Sequence, residues 1–150
     1  MRKLTSSIYT FEKLIENNFL YVDKTEYIWR LIDSAPAMYF MSRPRRFGKS
    51  LTVSTLEAIF SGKKELFKGL AIYDKPYDWK KYPVIHLDMG DRKCDTPQVL
   101  ESSLQDAIRK CAEEHQVSAV GSDAQTQFRN LIDAVSKNAP AVILVDEYDK

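Results

Sequence analysis

The chain has 150 residues, of which 44% are hydrophobic and 29% are charged, a composition typical of one folded globular domain. Its 22 Lys and Arg residues nearly balance its 21 Asp and Glu residues, so the net charge of +1 gives no general support for nucleic-acid binding. The apolar runs are too short for a transmembrane helix, no signal peptide is recognisable, and the two cysteines form no disulfide framework. We therefore expect a cytoplasmic protein without a membrane partner.

The first part of the chain predicts three helices and one buried strand. Apolar residues at helical spacing predict a helix over 11–19. Asp23 and Glu26 have the spacing of a capping box, which predicts the start of a second helix behind them. The short apolar run 37–41 fits a buried strand, and helical spacing returns over 49–62.

The second part of the chain alternates strands with helices. Residues 84–89 predict a strand, and Thr96 is a good N-cap for the helix that follows it. Ser122 and Gln125 have capping-box spacing ahead of a further helix, and the most apolar run, 141–145, predicts the last strand. Because strands that alternate with helices form βαβ units, the sequence predicts an α/β fold with a parallel sheet.

A phosphate loop is the strongest local signal. Gly48, Lys49 and Ser50 follow a predicted strand and open a predicted helix, which is the context that such a loop requires. Gly48 lets the backbone approach a phosphate, and the free N–H groups of the helix start bind anions. Lys49 would reach the β- and γ-phosphates, and the Ser50 hydroxyl would bind Mg²⁺. The pattern G-x-x-x-x-G-K-[ST] is incomplete, because Arg43 stands where its first glycine belongs.

Two acidic residues end the last predicted strand. In a parallel sheet, Asp146 would lie at the same edge as the phosphate loop and could complete the Mg²⁺ site with Ser50. Glu147 could orient and deprotonate the attacking water. A solvated strand end is the alternative for this pair taken alone. Many GTPases carry a glycine three residues after the aspartate, whereas this chain has Asp149, so the pattern favours an ATPase.

Four cations crowd the predicted loop: Arg43, Arg45, Arg46 and Lys49. We expect them to neutralise nucleotide phosphates. A nucleic-acid-binding module that contacts a phosphate backbone and a nucleotide-dependent switch without hydrolysis are the two alternatives. Asp23 also has two interpretations, since it either caps a helix or contacts the ligand. We favour capping, because it explains this residue without a ligand.

A zinc site is disfavoured. The side chains of the zinc-binding type are few and carry no Cys-x-x-Cys motif, although two of them share one helix face. We expect core thiols at Cys94 and Cys111 and ordinary histidines at His86 and His115.

The segment 43–51, Arg-Pro-Arg-Arg-Phe-Gly-Lys-Ser-Leu, resembles the phosphate loop of the predicted AAA-ATPase-like family of bacteria, which also replaces the first loop glycine. Further segments resemble the family at 21–25, 67–70, 82–85 and 144–149. The resemblance implies that Lys49 and Ser50 bind ATP and Mg²⁺, with Lys49 also catalytic, and that Asp146 and Glu147 serve hydrolysis. The residues it places at the nucleotide are Arg43, Pro44, Arg45, Arg46, Phe47, Gly48, Lys49, Ser50 and Leu51.

The resemblance also implies a three-layer P-loop fold, with an N-terminal helical segment over 1–36 and a nucleotide-binding core over 37–150. Fuller members often carry a C-terminal nuclease-like domain of the PD-(D/E)XK type, through which nucleic acid would be a partner. P-loop ATPases of this kind have a fourth strand between the first and third, and the sequence ends at Lys150, before such a strand. We therefore expect the N-terminal part of a longer ATPase, inactive by itself, and leave its oligomeric state open.

Overall fold

The computed structural model describes residues 3–5, 7–33, 38–42, 44, 46–90 and 96–147. The chain divides into two compact units, Met1–Lys81 and Tyr82–Lys150. We call them the N-terminal unit and the C-terminal unit. Each has its own cluster of buried apolar side chains. The mixture of helices with a parallel sheet confirms the α/β class.

The N-terminal unit is helical in the part that the structure describes. Its helices are α1 (Phe11–Glu16), α2 (Thr25–Ile32) and α3 (Lys49–Phe60), followed by 3₁₀ turns at Lys64–Phe67 and Ala71–Asp74. The three predicted helices are confirmed, but α1 ends earlier than predicted. Asn18 adopts a left-handed conformation with φ of 54°, and the Phe19 N–H donates to the Leu14 carbonyl at 3.0 Å. This local turn ends the helix although the apolar spacing continues.

Aromatic side chains form much of the core of the N-terminal unit. Phe11 and Phe67 are fully buried and stack with their ring centroids 4.6 Å apart. Tyr21 meets Phe11 edge-on at 5.1 Å, and Trp79 lies 5.1 Å from Phe67. The irregular segment that contains Trp79 is therefore held by packing against Phe67 of the first 3₁₀ turn, since aromatic pairs add to the stabilisation from burial.

The predicted capping box at Asp23 is wrong, because the N-cap of α2 is Lys24. The Oδ1 atom of Asp23 accepts hydrogen bonds from the N–H and the hydroxyl of Thr25, and its Oδ2 atom accepts from the Ala71 N–H at 2.8 Å. Glu26 forms ion pairs with Arg30 and Lys75 instead of reaching back to the cap. Asp23 therefore links the start of α2 to the second 3₁₀ turn. Burial raises the pKa of Asp23, but these hydrogen bonds outweigh it and leave the pKa below its ordinary value.

The prediction of a buried strand over 37–41 is also wrong for the residues that the structure describes. Residues 38–41 form no strand pairing, and Met38 is 99% and Phe40 71% exposed. Residue 37 lies outside the described residues. An apolar run becomes a strand only where a neighbouring strand supplies its ladder hydrogen bonds, and composition alone does not provide that neighbour.

The C-terminal unit contains the sheet. In chain order it has β1 (Val84–Asp88), α4 (Pro97–Glu114), α5 (Ala124–Val135) and β2 (Val142–Asp146). The two strands are parallel and in register from Val84 opposite Val142 to Asp88 opposite Asp146. This confirms the parallel pairing of the predicted strands at 84–89 and 141–145. The sheet of the described residues has two strands, so the complete three-layer P-loop fold stays a prediction.

Helix α4 packs on β1 and also binds its backbone. Ile85 is fully buried among apolar residues of α4 and α5. On the side of β1 away from β2, the Cys111 thiol donates to the His86 carbonyl at 3.4 Å, and the Nε2 atom of His115 lies 2.8 Å from the Val84 carbonyl. These contacts satisfy strand carbonyls that β2 does not reach. The expectation of a core thiol is confirmed for Cys111, which is buried, whereas Cys94 lies outside the described residues.

Side-chain caps fix the starts of both helices of this unit. The predicted N-cap Thr96 is confirmed, since its hydroxyl accepts from the Val99 N–H at 3.2 Å. The prediction for α5 is wrong by one residue, because its N-cap is Asp123 and not Ser122. Asp123 accepts from the Thr126 N–H at 2.8 Å, and Glu101 of α4 accepts from the Ala124 N–H at 2.6 Å. Two carboxylates thus bind the N-terminus of α5, where the helix dipole favours negative charge.

None of the helices in the described ranges has the length and apolar character needed to cross a membrane.

Candidate functional site

The predicted phosphate loop, residues 43–50, belongs to the N-terminal unit. Pro44 and residues 46–50 are described, whereas Arg43 and Arg45 lie outside the described residues. The Phe47 N–H donates to the Pro44 carbonyl at 3.3 Å, which closes a turn ahead of α3. Phe47 is 64% exposed. This half of the predicted site is therefore open to solvent.

Gly48 is the N-cap of α3 and adopts a left-handed conformation with φ of 75° and ψ of 27°. Glycine populates this region without the steric cost that a Cβ atom brings. A Cβ atom at this position would meet no atom of the described residues within 4 Å, so these residues leave the space beside Gly48 open. Arg46 has a positive φ of 67°, two residues earlier. The backbone thus turns sharply into α3 and leaves room for a ligand at the turn.

The first turn of α3 carries the two residues that the motif assigns to the ligand. Lys49 and Ser50 are half-buried, and no acidic side chain lies in this turn. Gly48, as the N-cap, has no side chain with which to cap the helix, and its carbonyl accepts from the N–H and the hydroxyl of Thr52, each at 2.9 Å. Leu51 packs against the core of the unit, which leaves its backbone N–H as the group suited to a ligand. Uncapped N–H groups and the helix dipole make this helix start suitable for an anion.

The acidic residues that end β2 belong to the C-terminal unit. Asp146 is only 7% exposed, and its Oδ1 atom accepts from the Glu147 N–H at 2.9 Å. Glu147 has a positive φ of 55°, which is uncommon for a residue with a side chain. The strand end is therefore fixed by its own hydrogen bond, and the alternative of a solvated strand end does not describe Asp146.

Sequence reasoning missed Asp88 and Gly90, which lie beside this acidic pair. Asp88 stands opposite Asp146 in the strand register, and the Met89 N–H extends the pairing to the Asp146 carbonyl at 3.1 Å. The Oδ1 atom of Asp88 accepts from the Gly90 N–H at 2.8 Å. The signal was present in the sequence, because Asp88 is the penultimate residue of the strand predicted over 84–89. The register of the two strands was needed to see that the two acidic ends coincide.

The residues of the described ranges include no group of three or more His, Cys, Asp or Glu side chains that could hold a metal ion. A magnesium ion carried by a nucleotide needs less, since it binds one or two protein groups and completes its shell with phosphate oxygens and water. A hydroxyl such as that of Ser50 and a carboxylate such as that of Asp146 are oxygen ligands of the required type.

Comparison with known proteins gives one family and one relative. A family model described as Predicted AAA-ATPase matches residues 6–150. An uncharacterized protein in the vnfD 5′ region of Azotobacter chroococcum mcd 1 is 35% identical over 153 residues, which cover 99% of this chain and 29% of that relative. The chain thus spans less than a third of the length of that relative. No solved structure matches the chain.

Proposed function

Because the chain belongs to the Predicted AAA-ATPase family, we propose that it binds ATP with Mg²⁺ and that the full-length protein hydrolyses the nucleotide. The observation that carries this proposal is the glycine-led entry into α3, where left-handed Gly48, which has no side chain to cap the helix, precedes Lys49 and Ser50. A helix start of this form binds a phosphate group through its backbone N–H groups. The family resemblance of the loop sequence supports the same ligand.

The proposal gives each residue one task. Lys49 neutralises charge on the β- and γ-phosphates, and its ammonium group stabilises the charge of the transition state. Ser50 and Asp146 would supply oxygen ligands to Mg²⁺, which when bound would neutralise phosphate charge. The carboxylate of Glu147 accepts a proton from the attacking water as the water oxygen bonds to the γ-phosphorus. The bond between the γ-phosphorus and the bridging oxygen breaks at the same time, and ADP leaves with that oxygen.

The basic loop supports nucleotide binding more than nucleic-acid binding. Arg46 is an exposed arginine that adjoins the open space beside Gly48, whereas the helix start itself offers backbone groups that suit a compact terminal phosphate. A nucleic-acid module would need an extended basic surface, and the net charge of +1 does not favour one.

Two measurements on the full-length gene product test the proposal. Titration calorimetry with MgATP measures binding, and an assay of released inorganic phosphate measures hydrolysis. We expect saturable binding of one nucleotide per chain, competition by ADP with Mg²⁺, and phosphate release that requires Mg²⁺. Binding without multiple-turnover or single-turnover hydrolysis would instead establish a nucleotide-dependent switch. No binding of nucleotide, with salt-sensitive binding of DNA, would overturn the proposal in favour of a nucleic-acid module.

A further inference from the structure

Gly90 lies at the point where the two paired strands end. Asp88 and Asp146 stand opposite each other in the register, and the Met89 N–H still pairs with the Asp146 carbonyl. The chain after β1 then turns, because the Oδ1 atom of Asp88 accepts from the Gly90 N–H at 2.8 Å. This turn brings Gly90 next to Glu147, the residue that follows β2.

The space that a side chain at Gly90 would occupy is filled by Glu147. A Cβ atom on Gly90 would lie 2.8 Å from Oε2 and 3.1 Å from Cδ of the Glu147 carboxylate, and 3.1 Å from Oδ1 of Asp88. The first distance is shorter than real Cβ contacts allow. The Oε2 atom is also shielded from solvent. The Glu147 carboxylate is therefore held in a position that exists only because residue 90 has no side chain.

The backbone does not account for glycine at this position. Gly90 has no left-handed φ, unlike Gly48, Gly62 and Gly69 in the N-terminal unit. An alanine would be compatible with its backbone conformation, so the conflict lies with the neighbouring side chains.

We propose that Gly90 is a positioning residue, which sets the location of the Glu147 carboxylate by leaving it space. This inference rests on the proposed function, in which Glu147 deprotonates the attacking water. The acidic residues that end the two strands form hydrogen bonds that fix the backbone at Gly90 and at Glu147. Asp88 fixes the Gly90 N–H, and Asp146 fixes the Glu147 N–H at 2.9 Å. The left-handed φ of Glu147 returns its side chain toward the end of β1.

The arrangement separates activity from stability. The atom that an alanine at residue 90 would strike is the far end of a flexible side chain, which can rotate away with little cost to folding. A displacement of a general base by about 1 Å is enough to slow a reaction by about 100-fold. The substitution Gly90→Ala should therefore disturb turnover and leave the fold in place.

Steady-state ATP hydrolysis by the full-length Gly90→Ala protein tests the proposal. We expect kcat to fall by about 10- to 100-fold, while the KM for ATP stays within about twofold and the Tm within about 2 °C of the unsubstituted protein. Gly69→Ala is the matched control, since Gly69 has a φ of 81° and open space around its missing Cβ. That control should lower the Tm by several degrees and retain kcat. An unchanged kcat in Gly90→Ala would overturn the proposal.

A double-substitution cycle shows whether Gly90 acts through Glu147. In a Glu147→Gln background, Gly90→Ala should cause no further loss in single-turnover rate, because the group that Gly90 positions no longer accepts the proton. An equal fold loss in both backgrounds would overturn the positioning role. Full activity of Glu147→Gln by itself would overturn the proposed role of Glu147 instead, which distinguishes the failure of the two proposals.

Asp88 provides a second test that adds no atoms to the crowded space and covers the case in which Gly90→Ala does not fold. Asp88→Asn retains the Oδ1 acceptor for the Gly90 N–H, whereas Asp88→Ala removes it. We expect Asp88→Ala to lower kcat at least about tenfold and Asp88→Asn to recover most of that loss. If Asp88→Ala and Asp88→Asn both had the kcat of the unsubstituted protein, the proposal would be contradicted.

Discussion

The phosphate loop and the acidic strand end differ in how much of their geometry the protein itself supplies. At the phosphate loop, Gly48 adjoins open space, Phe47 is exposed, and no side chain caps the helix start. At the acidic strand end, Asp146 is buried and bound to the backbone of Glu147. The loop thus presents an exposed helix start to a ligand, and the strand end presents groups that are already fixed.

This difference corresponds to the two tasks that we propose. A binding element gains affinity when its free N–H groups are satisfied by the ligand, so it has reason to leave them uncapped. A general base contributes to rate only when it is held in one productive position before the reaction, so it has reason to be packed and hydrogen-bonded. We therefore expect substitutions in the loop to affect binding and substitutions at the strand end to affect turnover.

The largest expected effect is on turnover at the strand end. Glu147→Gln keeps the shape of the side chain and removes its ability to accept a proton, so kcat should fall by about 100- to 10,000-fold with the Kd for MgATP unchanged. Phosphate release and titration calorimetry on the full-length protein measure the two quantities. Glu113→Gln, at an exposed position of α4, is the matched control and should retain kcat. If the Kd for MgATP rose by the same factor as kcat fell, Glu147 would contribute to binding of the nucleotide, and the division of tasks between loop and strand end would be wrong.

The next effect is on binding at the loop. Lys49→Ala removes a charge-assisted hydrogen bond to phosphate of about 1.5 to 3 kcal/mol, so MgATP should bind about 10- to 100-fold more weakly. Calorimetry detects this loss as a smaller or absent binding heat. Lys68→Ala, an exposed lysine of the same unit, should bind MgATP like the unsubstituted protein. Equal affinities of the Lys49→Ala and Lys68→Ala proteins would contradict the assignment of the loop.

A third prediction concerns protection from hydrogen exchange. MgATP should slow exchange of the amides at residues 48–50 by at least about tenfold, because a bound phosphate would accept hydrogen bonds from N–H groups at the start of α3. The amides of Met89 and Glu147 already donate within the protein and should change less. Hydrogen exchange measured by mass spectrometry with and without MgATP compares the protection of the loop peptide with that of the strand-end peptides. Stronger protection at the strand end than at the loop would reverse the comparison.

The smallest expected effect is on acid stability, and it separates structure from ligand binding in the segment 21–25. The folded-state pKa of Asp23 lies below its ordinary value, so its stabilisation is present above the ordinary carboxyl pKa and is lost as the pH falls through the folded-state pKa. Asp23→Asn should flatten the decline of the free energy of unfolding at acidic pH. Urea unfolding at several pH values measures it, with Asp133→Asn, at an exposed position of α5, as the control. An Asp23→Asn protein of normal stability that no longer binds MgATP would show a ligand contact instead.

Local sequence signals predicted the helices well and their ends less well. Three N-terminal helices, the Thr96 cap and both strands of the sheet were predictable because periodicity and cap chemistry are properties of neighbouring residues. The two capping boxes failed because a neighbouring acceptor caps α5 and because donors other than the expected one bind Asp23. Asp123 displaced Ser122 by one position, and Asp23 found the Ala71 N–H, which is distant in the sequence. Contacts of that kind cannot be read from spacing.

The candidate site was predictable only in part. The residues Gly48, Lys49 and Ser50 form a local motif, and the helix that they open was predicted from the same segment. The strand over 37–41 was predicted from composition, yet the described residues of that run form no ladder. Asp88 and Gly90 carry no local motif, and their importance depends on strand register and on the space filled by Glu147.

By itself, the sequence determined the α/β class, the helical faces, the family and a loop whose residue types suit phosphate. Each of these depends on neighbouring residues or on a contiguous motif, so short-range chemistry is sufficient to specify it. The tertiary structure alone decided that β1 and β2 end side by side, that Asp146 is buried, and that the Glu147 carboxylate occupies the space beside Gly90. These are contacts between residues more than 50 positions apart, and only packing and strand register bring such residues together.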